Sequence, residues 1–208
     1  MRRWPVVPTI LVALACAAMI ALGFWQLRRL REKEAFIAQV SANPSKPAVA
    51  FPRFPDDTLL FRRASAFCLQ PVEVTRAGAG NAGYRLIALC RTGAEGPGFR
   101  VQLGTTHDPN AKSNWHGGEV SGWISHAPDA RPLIASLVQH RPQEMLLVSD
   151  RPLGGLTANT RPDAGIIPNN HLAYAGQWFF FALVAATIYV LAVRRRFRAQ
   201  ATGSAPGA

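Results

Sequence analysis

Two stretches of this chain hold no Asp, Glu, Lys or Arg: residues 4–27 and residues 170–193. Each supplies the ~20 apolar residues that an α-helix needs to cross about 30 Å of hydrocarbon at ~1.5 Å per residue. A soluble helix rarely passes two turns without a charge on its wet face. The pattern predicts transmembrane helices over 5–27 and 170–193. Between them, residues 35–167 form a domain outside the bilayer, and residues 194–208 are a basic tail.

The charges agree with this division. The formal net charge of +11 looks like that of a nucleic-acid binder until it is located. Arg2, Arg3, Arg28, Arg29, Arg31, Lys33, Arg194, Arg195, Arg196 and Arg198 all border the two apolar runs. Basic residues there anchor a protein against anionic headgroups, so the expected partner of this charge is membrane lipid and not nucleic acid. The cluster directly after the second run predicts a cytoplasmic C-terminus. Two spans then place the N-terminus inside as well and the middle domain outside. Arg28, Arg29, Arg31 and Lys33 oppose that orientation, but short tails outweigh long translocated loops. The first run has a basic start and an Ala-rich stretch around Cys16, like a signal peptide. It continues to Leu27, beyond the roughly 7–15 residues of a signal core, so an uncleaved helix is expected. Basic tails without an evident transit peptide point to a multi-pass protein of the bacterial plasma (inner) membrane, with its middle domain periplasmic.

Residues 35–40 extend the first helix past the membrane, and Asn43-Pro44 and Lys46-Pro47 end it. Strand signals follow at 59–69, 84–91, 99–103, 120–124 and 145–148. In 84–91, Tyr84, Leu86, Ala88 and Cys90 alternate with Arg85, Ile87, Leu89 and Arg91. Gly-rich turns at 78–83 and 93–98 separate strands, and residues 132–139 read as a short helix. The expected fold is α+β: two transmembrane helices flanking a small antiparallel β-rich extracytoplasmic domain, as a sheet or an open barrel. Cys68 and Cys90 lie on two of these strands, either as a disulfide or as two small buried thiols. His107, His116, His126 and His140 lack the i, i+4 spacing of a zinc site, and no serine sits in a nucleophile elbow. Nothing here predicts an enzyme.

The membrane edges are more specific. Residues 23–29 (Gly-Phe-Trp-Gln-Leu-Arg-Arg) leave the first span, and residues 168–179 open the second. Pro168 ends the extended chain, and Asn169 or Asn170 is suited to cap the helix. His171, Tyr174 and Trp178 then follow at i, i+3, i+7 on one face. An imidazole at the bilayer edge needs a partner. One ring nitrogen can ligate a metal while the other N–H bonds elsewhere, here to an Asn side chain. A haem iron suits that lone pair, with the aromatics covering a porphyrin face. The competing interpretation is an ordinary interfacial belt of Trp25, Tyr174 and Trp178.

Both segments resemble the Surfeit locus protein 1 family. Its Gly-x-Trp-Gln-x-x-Arg motif is matched by Gly23, Trp25, Gln26 and Arg29. Its Asn-Asn-His-x-x-Tyr motif is matched by Asn169, Asn170, His171 and Tyr174, followed by Trp178. Phe61-Arg62-Arg63 stands for a Tyr-Arg-Arg strand, and Gly122-Trp123-Ile124 for part of Asn-Arg-Gly-Trp-Val, with Val120-Ser121 in place of Asn-Arg. The Trp-Tyr segment usual before the second span is missing, so the chain looks like a shortened, divergent member. The resemblance implies a non-enzymatic assembly factor for haem-copper cytochrome c oxidase that helps haem a reach the catalytic subunit. It implies His171 as ligand of the haem iron, with Tyr174, Trp178, Trp25 and Gln26 as further haem contacts. It also implies the catalytic oxidase subunit as partner, with haem a synthase as a second. A structural membrane subunit and a docking chaperone without haem remain open beside it.

Overall fold

The computed structural model describes residues 4–93, 98–129 and 142–202. It divides into two compact units, one of Met1–Phe36 with Pro168–Ala208 and one of Ile37–Ile167. The expected helix at 132–139, and His140, lie outside the described residues.

The first unit is built on helices α1 (Val6–Ser41) and α2 (His171–Thr202). Pro8 falls in the first turn of α1, where a missing N–H costs nothing. At the other end Asn43-Pro44 diverts the chain into a 3-10 turn, Asn43–Ser45. Both helices are long and apolar enough to cross a membrane, and only 6% and 11% of their most apolar windows is buried. A core helix of a soluble protein hides its apolar side chains; here Leu11, Leu14, Phe24, Phe180, Leu183 and Ile188 are all exposed. Each such side chain forgoes roughly 1.5–3 kcal/mol if it faces water.

What the helices do bury follows a heptad. In α1 the covered positions include Thr9, Val12, Cys16, Met19, Gly23, Gln26 and Leu30. In α2 they include His171, Ala175, Trp178, Ala182, Ala185 and Tyr189. Alternating steps of four and three define the 3.5-residue period of a left-handed antiparallel seam. Thr9 Oγ1 bonds Tyr189 OH, and Cys16 Sγ faces Ala182 O at 3.6 Å. Gly23 lies under the ring of Phe179, where a Cβ would sit 2.5 Å from Cε1. Small residues in such a seam let two backbones approach closely.

Among the described residues, the second unit is one seven-stranded sheet of order β1-β2-β6-β7-β5-β4-β3. Its strands are β1 (Val49–Ala50), β2 (Arg63–Cys68), β3 (Gln70–Gly78), β4 (Tyr84–Arg91), β5 (Gly98–Thr106), β6 (Gly118–His126) and β7 (Met145–Ser149). The sheet is mixed, which corrects the antiparallel expectation. β1 runs parallel to β2, and β7 parallel to β5. The cause is insertion: β6 pairs with β2, and β7 then enters between β6 and β5, antiparallel to the first and so parallel to the second. Side-chain alternation is the same in either direction, so the sequence pattern is blind to this.

β2 and β3 are separated by Leu69 alone. The chain pairs with β6 up to Cys68, bends, and pairs with β4 from Gln70 onward. Leu69 N–H donates to Arg91 O at 2.8 Å across the bend. One chain thus connects two strands far apart in sheet order, which curls the sheet as in an open barrel. A disulfide resolves the two open readings of the cysteines: Cys68 and Cys90 are bonded beside this bend, with Cα atoms 5.3 Å apart. The register sets Ala64, Val120, Ile124, Leu147, Val101 and Ala88 on the same face as that bridge, all buried. Leu146, Val148, Ile87 and Ala127 pack on the opposite face, so β7 is buried throughout.

Candidate functional site at the helix ends

α2 starts at His171, and Tyr174 N–H donates to Asn170 O at 3.2 Å. Asn170 thus serves the first turn through its backbone carbonyl, where a side-chain cap was expected. The other asparagine, Asn169, keeps a buried Oδ1 without a hydrogen-bond partner among the described residues.

The imidazole's partner also differs from expectation. His171 Nδ1 lies 2.7 Å from Gln26 Oε1 on α1, and among the described residues no Asn side chain takes that role. An amide oxygen only accepts, so Nδ1 carries a proton, and in the neutral imidazole the lone pair is then on Nε2. Both residues occupy seam positions, so the helix pairing that joins Thr9 to Tyr189 also brings this pair together. The seam itself went unread in the sequence. Its signal was there, as Thr9, Cys16 and Gly23 recur every seven residues, and so do Ala175, Ala182 and Tyr189.

The remaining motif residues have distinct surroundings. Trp25 is half-exposed, with the Arg29 guanidinium 5.8 Å from its ring centre. Arg29 and Arg28 both pair with Glu32, at 2.9 and 3.2 Å. Tyr174 is half-exposed. Trp178 is partly covered and meets Phe181 edge to face at 6.4 Å. The structure therefore joins His171 to Gln26 directly and leaves Trp25 and Tyr174 with open ring surface.

The His171–Gln26 pair fits the hydrogen bonding that a haem ligand requires. A histidine that ligates a haem iron needs one ring nitrogen held by a hydrogen-bond acceptor and the other free. His171 and Gln26 meet that requirement; Tyr174 and Trp178 follow His171 along α2, and Trp25 precedes Gln26 on α1. Elsewhere, His126 Nε2 pairs with Asp57 at 2.8 Å and His107 faces Asn81 O at 3.2 Å. Among the described residues no group of three or more His, Cys, Asp or Glu is placed to hold a metal ion.

A mixed-sheet domain bracketed in sequence by two helices able to cross a membrane, with a histidine opening the second, defines the class. The profile of the SURF1 family matches residues 13–183, so the chain belongs to the SURF1 family. A SURF1-like protein of Rickettsia conorii (strain ATCC VR-613 / Malish 7) is 49% identical over 39 residues, 19% of this chain and 16% of that protein. A SURF1-like protein of Rickettsia felis (strain ATCC VR-1525 / URRWXCal2) is 45% identical over 40 residues, 19% of this chain and 18% of that protein. The chain is thus matched to less than a fifth of the length of either relative.

Proposed function

We propose that this protein is a non-enzymatic assembly factor of cytochrome c oxidase in a bacterial inner membrane. It holds haem a at His171 on the way to the catalytic subunit, with haem a synthase as the upstream partner. The observation that carries this is the 2.7 Å bond from His171 Nδ1 to Gln26 Oε1, which leaves Nε2 for iron. Membership in the SURF1 family supports the oxidase role. When bound, the haem supplies an iron that accepts one imidazole lone pair. His171 is the ligand, Gln26 fixes its tautomer, and Trp25, Tyr174 and Trp178 offer ring surface. The two helices span the membrane, and the middle domain faces the periplasm. The Cys68–Cys90 disulfide supports that side, because disulfides persist in oxidising compartments.

Purification of the full chain from cells making haem a, followed by a visible spectrum, tests this. A Soret band that is lost in His171→Ala is expected. A haem-free preparation, or a band unchanged in His171→Ala, defeats the ligand assignment. Deletion is expected to lower assembled oxidase while its subunits are still synthesised.

A further inference from the structure

Two segments that the haem reading leaves unused meet on the sheet. Arg63 opens β2 directly opposite Trp123 of β6. Its guanidinium lies 5.5 Å from the indole centre and bonds Asp150 at 2.6 Å. Asp150 is fully engaged: both its carboxylate oxygens accept from Ser121 Oγ, at 3.1 and 3.2 Å, and its N–H donates to Ser121 O. A second guanidinium, that of Arg161, stacks on the same indole at 3.9 Å.

Arg161 differs from Arg63 in one respect. It is exposed and has no carboxylate or hydrogen-bond partner among the described residues. The nearest acid in sequence, Asp163, instead accepts from Gly165 N–H at 2.6 Å. Stacking occupies the flat face of a guanidinium but leaves its in-plane N–H donors free. The side chain is also held in place before any ligand arrives, so less freedom is lost when the fork closes on an oxyanion.

The local charge selects the ligand. Asp150 offsets Arg63, so of the two guanidiniums on the indole only that of Arg161 is without a carboxylate among the described residues. Glu119 lies on the same face of β6, since Glu119, Ser121 and Trp123 alternate with the buried Val120. A face that mixes acids with bases is poorly suited to a continuous anionic membrane surface or to a dianionic phosphate. It matches a single carboxylate, which a guanidinium fork receives with two parallel bonds. We propose that Arg161, presented on Trp123, is a carboxylate-recognition site through which the domain docks an acidic segment of a partner protein. This goes beyond haem handling and does not depend on it.

The test uses the full chain in phosphatidylcholine nanodiscs and a short dye-labelled polyglutamate peptide, read by anisotropy. Saturable binding is expected, weakened roughly tenfold in Arg161→Gln, or about 1.4 kcal/mol. Arg161→Lys is expected to weaken it several-fold, because an ammonium keeps the charge and loses the fork. Arg76→Gln serves as control; Arg76 lies over Tyr84 at 5.9 Å on β3, the far edge of the sheet, and its loss should change nothing. Unchanged affinity in Arg161→Gln overturns the site. Equal loss in Arg161→Gln and Arg76→Gln overturns it in favour of diffuse charge. Inorganic phosphate or short-chain phosphatidylglycerol competing at lower concentration than acetate overturns the carboxylate assignment. Arg161 is exposed, so folding of the variant is expected to match the parent in a melting curve.

Discussion

Gln26 and Gly23 occupy neighbouring positions of one helix seam and do opposite things there. Gln26 supplies a polar anchor, and its removal leaves the His171 ring free to turn or change tautomer. Gln26→Leu is expected to lower haem retention about 10–100-fold in a spectral titration, while Gln26→Glu, which still accepts, retains most of it. Gly23 supplies absence of bulk. Gly23→Ala pushes a methyl into the Phe179 ring and is expected to cost about 1–3 kcal/mol of helix pairing. Because the two residues touch, pairing Gly23→Ala with Phe179→Leu should recover much of the loss, and thermal unfolding of both variants checks this. The importance of His171 was legible from its place at the start of an apolar run. Its partner was not, because Gln26 lies 145 positions away and only the helix register joins them.

At the scale of elements, the bent strand at Leu69 and the bridge beside it hold the sheet's curl. The Cys68–Cys90 bond closes a loop with a sequence separation of 22. Loop-closure entropy makes its removal cost about 3 kcal/mol. Urea unfolding with and without reductant should show that difference, and equal midpoints would refute it. A second fastening is Asn43, buried at the end of α1. Its Nδ2 donates to Thr58 O at 2.7 Å and to Leu60 O at 2.8 Å. Asn43→Ala strands both carbonyls and is expected to cost roughly 2–4 kcal/mol in the same assay. β4 was readable because an apolar run bounded by Arg85 and Arg91 fills it, and Leu86, Ile87, Ala88 and Cys90 are all buried. β3 was missed because it is an edge strand that leaves Val72 and Val74 exposed, so burial imposed no period on its sequence. The expected strand at 59–69 began too early: Asp57–Leu59 is a 3-10 turn and Phe61 adopts φ 63°, so pairing with β6 starts regularly only at Arg63.

For the whole molecule, the two-span reading makes a topological prediction. Trp25→Cys and His171→Cys, each in a Cys16→Ala background, should both react with an impermeant maleimide from the periplasmic side. The paired Cys68 and Cys90 should stay silent. Labelling of positions 25 and 171 from opposite sides would overturn the hairpin and the haem site together. The division into helices and sheet was visible from charge-free runs and Gly-rich turns; the parallel pairings were not, since they depend on which strand is inserted where. The heptad seam carries one more consequence. Its polar groups are spaced unevenly, with a hydroxyl pair at one end and an amide with an imidazole at the other, so only one alignment satisfies both. Sliding either rod along its partner would orphan all of these groups at once. Opening of the helix pair is therefore expected to proceed by splaying or twisting at the histidine end, with no piston stroke.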